Sequence, residues 1–390
     1  MAEPDLFSGL YARGEAAVQV RGTAWLAAML AAEAALARAC AQEGLIAAEA
    51  AEAIAAACVP ERFDARAISL EAARHASPVV PLVRALREAV GEPHAGAVHL
   101  GATSQDILDT ALMLVARWAL APLLTDAEAA ADGAAALAQA HRGTAMTGRT
   151  LLQQALEVPF GLRAAAWLSG LDAAADRLDQ VRREELAVQM GGPVGARAPA
   201  IADRMAAELG LAAPVLPWAA IRVRPATLAG ALGTMAGVVA KIARDVTLLA
   251  QQEVGEVAEG GGADRGGSTA MAHKRNPVAA VSALACAKRV PGLVATVLTL
   301  MEQEHERAAG AWQAEWGTHT ELLALTGSAT AWCRELVENL EVDPARMASN
   351  LERAQLPAGA AGGDAGDAGA QGAQTLIDRA LAAHRSRRPS

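Results

Sequence analysis

Aromatic side chains are scarce in this 390-residue chain: they make up 3% of it, with one tyrosine and three phenylalanines. Strands draw on aromatic and β-branched residues, so material for a large sheet is short. A basic surplus is also missing, since 34 Lys and Arg stand against 43 Asp and Glu for a net charge of −9. That balance excludes the broad cationic footprint of a nucleic-acid binder. It does not exclude a local arginine cluster that meets a small anion. Cysteine is limited to Cys40, Cys58, Cys286 and Cys333, without a CxxC pair or the Cys/His spacing of a metal site. No metal and no cofactor are expected. The opening MAEPDLFSGL has no basic-then-apolar leader, so a reduced, cytoplasmic protein is the expectation.

What is abundant is alanine, in a chain that is 53% hydrophobic. Alanine is the best helix former and lets helices approach closely, so the fold class is all-α. A helix around Trp25–Glu43 ends at Gly44, and shorter ones broken by Pro60, Pro78 and Pro81 complete an N-terminal helical domain over 1–98. Long helical runs are expected near Ser104–His141, Leu152–Met190, Pro225–Glu259, Pro277–Arg307 and Glu315–Leu340, giving a central long-helix bundle over 99–345. Within Ala226–Ala250 the pair Gly233 and Gly237 has the spacing of a membrane helix, but Lys241, Arg244 and Asp245 interrupt it. Close helix packing is the better reading, with no membrane partner. Residues 346–390 form a shortened C-terminal segment: a low-complexity linker after Pro357, then a short helix at Thr375–Arg385.

Two polar residue types are rare as well. Lysine occurs only as Lys241, Lys274 and Lys288, and asparagine only as Asn276, Asn339 and Asn350. Lys274 and Asn276 fall together at the end of the glycine-rich segment Gly260–Pro277, GGGADRGGSTAMAHKRNP. In a chain that otherwise uses arginine, this points to a task for a compact ammonium and an amide. On composition alone, a plain connector before a helix fits the segment equally well. The segment lacks the GxxxxGK[ST] spacing of a phosphate loop.

The stretch Gly267–Pro277, GSTAMAHKRNP, resembles the signature loop of the fumarase/aspartase superfamily, usually written GSSxMPxKxNP. Two upstream stretches, HLGATSQD from His99 and GRTLLQQA from Gly148, are similar to that superfamily's substrate-binding stretches and occur in the same order. Within it, GATSQDILDTA, KIARDVTLLAQQEVGEVAEG and the QEHER of residues 303–307 resemble the bacterial 3-carboxy-cis,cis-muconate cycloisomerases. The likeness runs from about residue 20 to residue 353, and the usual C-terminal helical domain is shortened.

The resemblance implies a fumarase/aspartase-like helical bundle that works as a homotetramer, with active sites shared between subunits, on a small polycarboxylate. It implies Ser268 as the proton-transfer residue, with Lys274 and Asn276 holding the carboxylate into which the carbanion's charge spreads. His99, Thr103, Ser104, Arg149, Thr150, Gln153 and Arg222 are the implied substrate-binding residues, with Arg275 and His305 nearby. Thr103 and Ser104 also read as an ordinary helix N-cap, and each arginine as a solvated or ion-paired one. The implied reaction closes 3-carboxy-cis,cis-muconate to 4-carboxymuconolactone in protocatechuate breakdown.

Departures from the pattern carry information. Leu151 stands where fumarase-like relatives have an acid/base histidine. A carboxylate leaving group, as in lactone opening, needs no protonation, so the change favours lactonisation over loss of an amine or water. Gln154, Ala219 and Ala272 also depart from the pattern. The alternatives are a related lyase that releases fumarate from a substituted succinate, and a helical oligomer without activity.

Overall fold

The computed structural model describes residues 6–260, 266, 267, 271, 274–354 and 363–387. Two single turns, α1 (Ser8–Tyr11) and α2 (Glu15–Val18), precede α3 (Gly22–Gln42), α4 (Ala48–Ala57), α5 (Ala65–His75) and α6 (Val79–Val90). The Asp64 carboxylate starts α5 by accepting from the amides of Arg66 and Ala67. α3 packs against α4 and against α7 (Ser104–Ala140), α6 lies against α4 and α5, and α2 lies against α7.

The bundle is α7 with α8 (Phe160–Glu184), α10 (Val223–Leu249), α11 (Val278–Thr299) and α12 (Ala311–Glu338); α9 (Pro199–Leu209) lies against α3. Expected and observed helices agree in number and order, but several ends differ. Instead of a helix from Leu152, an antiparallel hairpin of β1 (Ala145–Thr150) and β2 (Gln153–Pro159) precedes α8. Leu-Leu-Gln-Gln-Ala-Leu-Glu carries helical propensity, and pairing with β1 overrides it. Leu151 and Leu152 form the two-residue turn at φ 50° and 65°, the left-handed pair that a tight hairpin requires. The register shifts between Thr147 and Arg149. A side chain at Gly148 would stand 2.7 Å from the Leu156 carbonyl, so only glycine fits this irregularity.

At the far ends, α10 stops at Leu249, and Val257–Glu259 is the strand β3, paired antiparallel with β4 (Leu340–Val342). α13 (Pro344–Arg353) follows β4 and packs on β1. Where a linker and a short helix were expected, α14 runs from Gly363 to Ser386 and docks on α8 with Ile377 and Leu381 buried. His384 lies between Asp172, at 3.1 Å, and Asp132, at 3.0 Å. Burial of this face holds a helix that runs longer than the expected Thr375–Arg385.

By length and composition alone α3, α7, α10 and α11 are apolar enough to cross a membrane, and the charges within α10 do not prevent this. Here they pack on neighbouring helices to different degrees. The most apolar window is 78% buried in α7 and only 39% buried in α11, which leaves α11 with an uncovered apolar face.

The core also holds a histidine in an unusual state. His319 on α12 is fully buried, and neither ring nitrogen has a partner among the described residues. Burial, helped by the charge of Arg222, pushes its pKa down to about 3. The unfolded chain, titrating near 6.5, binds the proton that the fold refuses, so stability is complete above that pH and is lost as pH falls toward 3. His319→Leu is expected to flatten this dependence by about 1.4 kcal/mol per pH unit inside the window. Urea unfolding of parent and variant at pH 7 and pH 5 measures the difference. Buried Asp106 and Glu315 titrate in both proteins and cancel.

Candidate active site

The first stretch is a braced loop leading into α7. Thr103 is the extended residue before the helix, and its amide donates to Asp106 Oδ2 at 3.1 Å, an N-cap arrangement that leaves the chain turned for binding as well. Asp106 is fully buried and accepts from Gln189 Nε2 at 3.0 Å and from the amides of Gly191 and Gly192 at 3.2 and 2.8 Å. Burial raises its pKa although these bonds oppose the shift. Arg197 donates to the Leu100 carbonyl at 2.8 Å, and Arg307 bonds the Gly192 carbonyl. His99 adopts a left-handed φ of 64° and places Nδ1 2.5 Å from Glu33 Oε1. His99, Thr103 and Ser104 thus share one fixed loop, with the QEHER segment behind it through Arg307.

The second stretch lies at the opposite end of α7. Thr150 and Gln153 face each other across the hairpin turn, exposed, with Leu151 97% and Leu152 77% accessible between them. Arg149 is bound in a two-point ion pair to Glu256, at 2.9 and 2.7 Å, and the buried Glu256 also accepts from Asn350 Nδ2 at 2.8 Å. Beside the hairpin opens a largely apolar groove of about 1270 Å³ between α8 and the end of α10.

The third stretch is described at its two roots. Ser268 and Ala272 lie outside the described residues. Glu259 at the end of β3 accepts from the amides of Ala279 and Ala280 at 2.9 and 2.8 Å, capping α11, where a carboxylate satisfies free amides and the helix dipole. Gly260 donates to the Asn339 carbonyl at 2.9 Å. The Gly266 carbonyl accepts both the backbone amide of Asn276, at 2.9 Å, and its side-chain amide, at 3.0 Å. A side chain on Gly266, at φ 69°, would meet the Asn276 carbonyl at 2.4 Å. Gly266 and Asn276 are thus clasped together, with Lys274 exposed two residues before Asn276.

Arg222 is not at a substrate surface. It is 1% exposed and sits between two carboxylates: Nη1 is 2.7 Å from Asp109 Oδ2, Nη2 is 3.0 Å from Asp109 Oδ1, and Nε is 3.0 Å from Glu315 Oε1. Its Nη1 also reaches the Ala219 carbonyl. Burial works against its charge, but Asp109 and Glu315 prevail and raise the pKa. Asp109 in turn accepts from Gln105 Nε2 and Trp312 Nε1. The sequence offered Arg222 as a substrate-binding residue or an ion-paired one, and the structure shows the ion pairs, closed over by α7 and α12.

The first and second stretches do not converge. α7 is unbroken over 37 residues, so the first and second stretches of one chain stand about 55 Å apart at 1.5 Å per residue. Among the described residues no hydrogen bond joins Lys274 or Asn276 to Thr150 or Gln153. Glu33, Asp106, Glu256 and Arg307 were missed by sequence reasoning. Glu33 had a usable signal, a lone acid in the apolar run LAAMLAAEAALA.

Comparison with known proteins places the chain among lyases. Residues 12–292 match a family described as lyase. The chain is 47% identical over 333 residues to a 3-carboxy-cis,cis-muconate cycloisomerase of Bradyrhizobium diazoefficiens, covering 83% of this chain and 74% of that protein. It is 42% identical over 350 residues to a nitrosuccinate lyase of Streptomyces davaonensis, covering 85% and 74%. The crystal structure of the 3-carboxy-cis,cis-muconate lactonizing enzyme from Pseudomonas putida superposes with a TM-score of 0.89 at 34% identity, covering 98% of this chain and 99% of that one.

Proposed function

The chain belongs to the fumarase/aspartase-like lyase family, and from that premise we propose that it is a cycloisomerase closing 3-carboxy-cis,cis-muconate to 4-carboxymuconolactone. A carboxylate oxygen of the substrate bonds to an alkene carbon. The π pair moves to the neighbouring carbon and spreads into the carboxylate attached there, and that carbon then takes a proton. No atom leaves and no cofactor is consumed. In this scheme Ser268 delivers the proton, while Lys274 and Asn276 stabilise the charged carboxylate. Ser104, at the start of α7, supplies its hydroxyl and a helix-start amide for a second carboxylate, and Thr103 supplies its hydroxyl. The enzyme would serve protocatechuate breakdown in the cytoplasm.

The observation that carries the reading is the 47% identity to a protein of that activity, joined to Leu151 at the tip of the second stretch. An aliphatic residue there provides no proton for a leaving group, and a carboxylate needs none. Loss of nitrite from a nitrosuccinate meets the same condition, and the likeness to the Streptomyces davaonensis protein supports it as the second reading. Purified protein mixed with the muconate should abolish its conjugated ultraviolet absorbance. Fumarate appearing from nitrosuccinate, with the muconate untouched, would reverse the ranking.

A complete site in this scheme needs several copies of the chain. The length of α7, the uncovered face of α11 and the exposed leucines of the hairpin all support a homotetramer whose sites combine stretches from different subunits. Light scattering should then give four times the 39.8 kDa of one chain; a monomer with full activity would overturn the shared site.

A further inference from the structure

Glu33 has no reason to lie in α3 on packing grounds. Its side chain is fully buried in an apolar helix, where a carboxylate is costly unless partnered and an aliphatic residue of similar volume would serve. Its one side-chain hydrogen bond is to His99 Nδ1 at 2.5 Å, and Oε2 has no partner among the described residues. His99 is itself in the left-handed region at φ 64°, a conformation that persists only when neighbours impose it. The same loop is held at Leu100 by Arg197 and at Thr103 by Asp106.

We propose that Glu33 is a positioning residue for the substrate site: it fixes the His99 ring so that Nε2 is offered, on the loop of Thr103 and Ser104, to one carboxylate of the substrate. A carboxylate only accepts hydrogen bonds, so Nδ1 carries the proton in the contact with Glu33. Nε2 has no partner among the described residues and is the nitrogen left for a ligand. A substrate carboxylate also only accepts, so Nε2 must donate to it, and the ring then lies between two carboxylates with Glu33 setting its direction. This rests on the reading of the substrate as a polycarboxylate.

The test compares full-length parent, Glu33→Leu and Glu33→Gln by three readouts: kcat and KM with 3-carboxy-cis,cis-muconate, calorimetric affinity for benzene-1,2,4-tricarboxylate, and ¹⁵N signals of the His99 ring, identified by their loss in His99→Gln. Leucine removes hydrogen bond and charge, and should raise KM and weaken the tricarboxylate about 100-fold. Glutamine keeps an acceptor for Nδ1–H but not the charge, and should cost about 10-fold, both within the span found when carboxylates that orient histidines are removed. The ring signals should change in both. If the leucine variant does not fold, Glu33→Gln decides, because a merely structural carboxylate tolerates the isosteric amide with unchanged KM. Folded variants that match the parent in all three readouts overturn this proposal alone. A parent that neither binds the tricarboxylate nor turns over the muconate overturns the substrate reading and this proposal with it.

Discussion

Ser268→Ala is expected to lower kcat for ring closure by about 10²–10⁴-fold, the usual contribution of a placed proton donor or acceptor, with KM changed far less. The hydroxyl meets the substrate carbon only as charge develops there, so its loss is felt in the transition state more than in binding. A serine is a weak acid and a weak base, and it needs a neighbour that stabilises its ionised form. Lys274, six residues on and beside the Gly266–Asn276 clasp, is suited to that. Lys274→Met should therefore reduce kcat as well, and the double variant should fall little below the worse single one, as expected for groups acting as a unit. Stopped-flow absorbance at saturating muconate measures this. A Ser268→Ala protein as fast as its parent on muconate and on nitrosuccinate would favour the scaffold-only reading.

The second large effect is on stability. Arg222→Leu is expected to cost about 3–5 kcal/mol, because it leaves Asp109 and Glu315 buried at close range without the cation that compensates them. Glu315 already has its pKa raised by burial, against the pull of Arg222; without the guanidinium that rise should grow, so the variant should recover part of its loss at mildly acidic pH. Making Asp109 and Glu315 apolar as well should restore only part of the stability. Gln105, Trp312 and Gln303 donate to those carboxylates and would lose their acceptors. Denaturant titration of the single and triple variants settles the point. An Arg222→Leu protein with unchanged stability and a raised KM would return Arg222 to the substrate.

How much of this was legible in the sequence depended on how local each signal was. Alanine-rich runs and their glycine and proline boundaries predict the long helices well, because propensity and punctuation are properties of neighbouring residues. The hairpin Ala145–Pro159 was hidden because β2 acquires its conformation from β1, in a segment whose own residues favour helix. α14 was legible only from Thr375 to Arg385; its docking on α8 is not a property of neighbouring residues. At the site, the rarity of Lys274 and Asn276 marked the loop, and only likeness to the superfamily's substrate-binding segment marked the first stretch. Arg222 and Arg149 look identical as letters. One is enclosed by carboxylates from other helices and the other closes on Glu256 at the edge of a groove, a difference that only three-dimensional packing creates.

The uninterrupted α7 has a consequence for how activity should depend on the amount of protein. On the proposed shared site, a helix that carries two substrate-binding stretches at opposite ends makes each folded chain a set of unfinished halves, so the rate per chain should follow mass action between chains. Diluted below its assembly constant, the enzyme should fall silent with its helices intact, and the specific activity should rise steeply with concentration before levelling off. Substrate, by bridging stretches from different chains, would tighten that assembly and shift the rise to lower concentration.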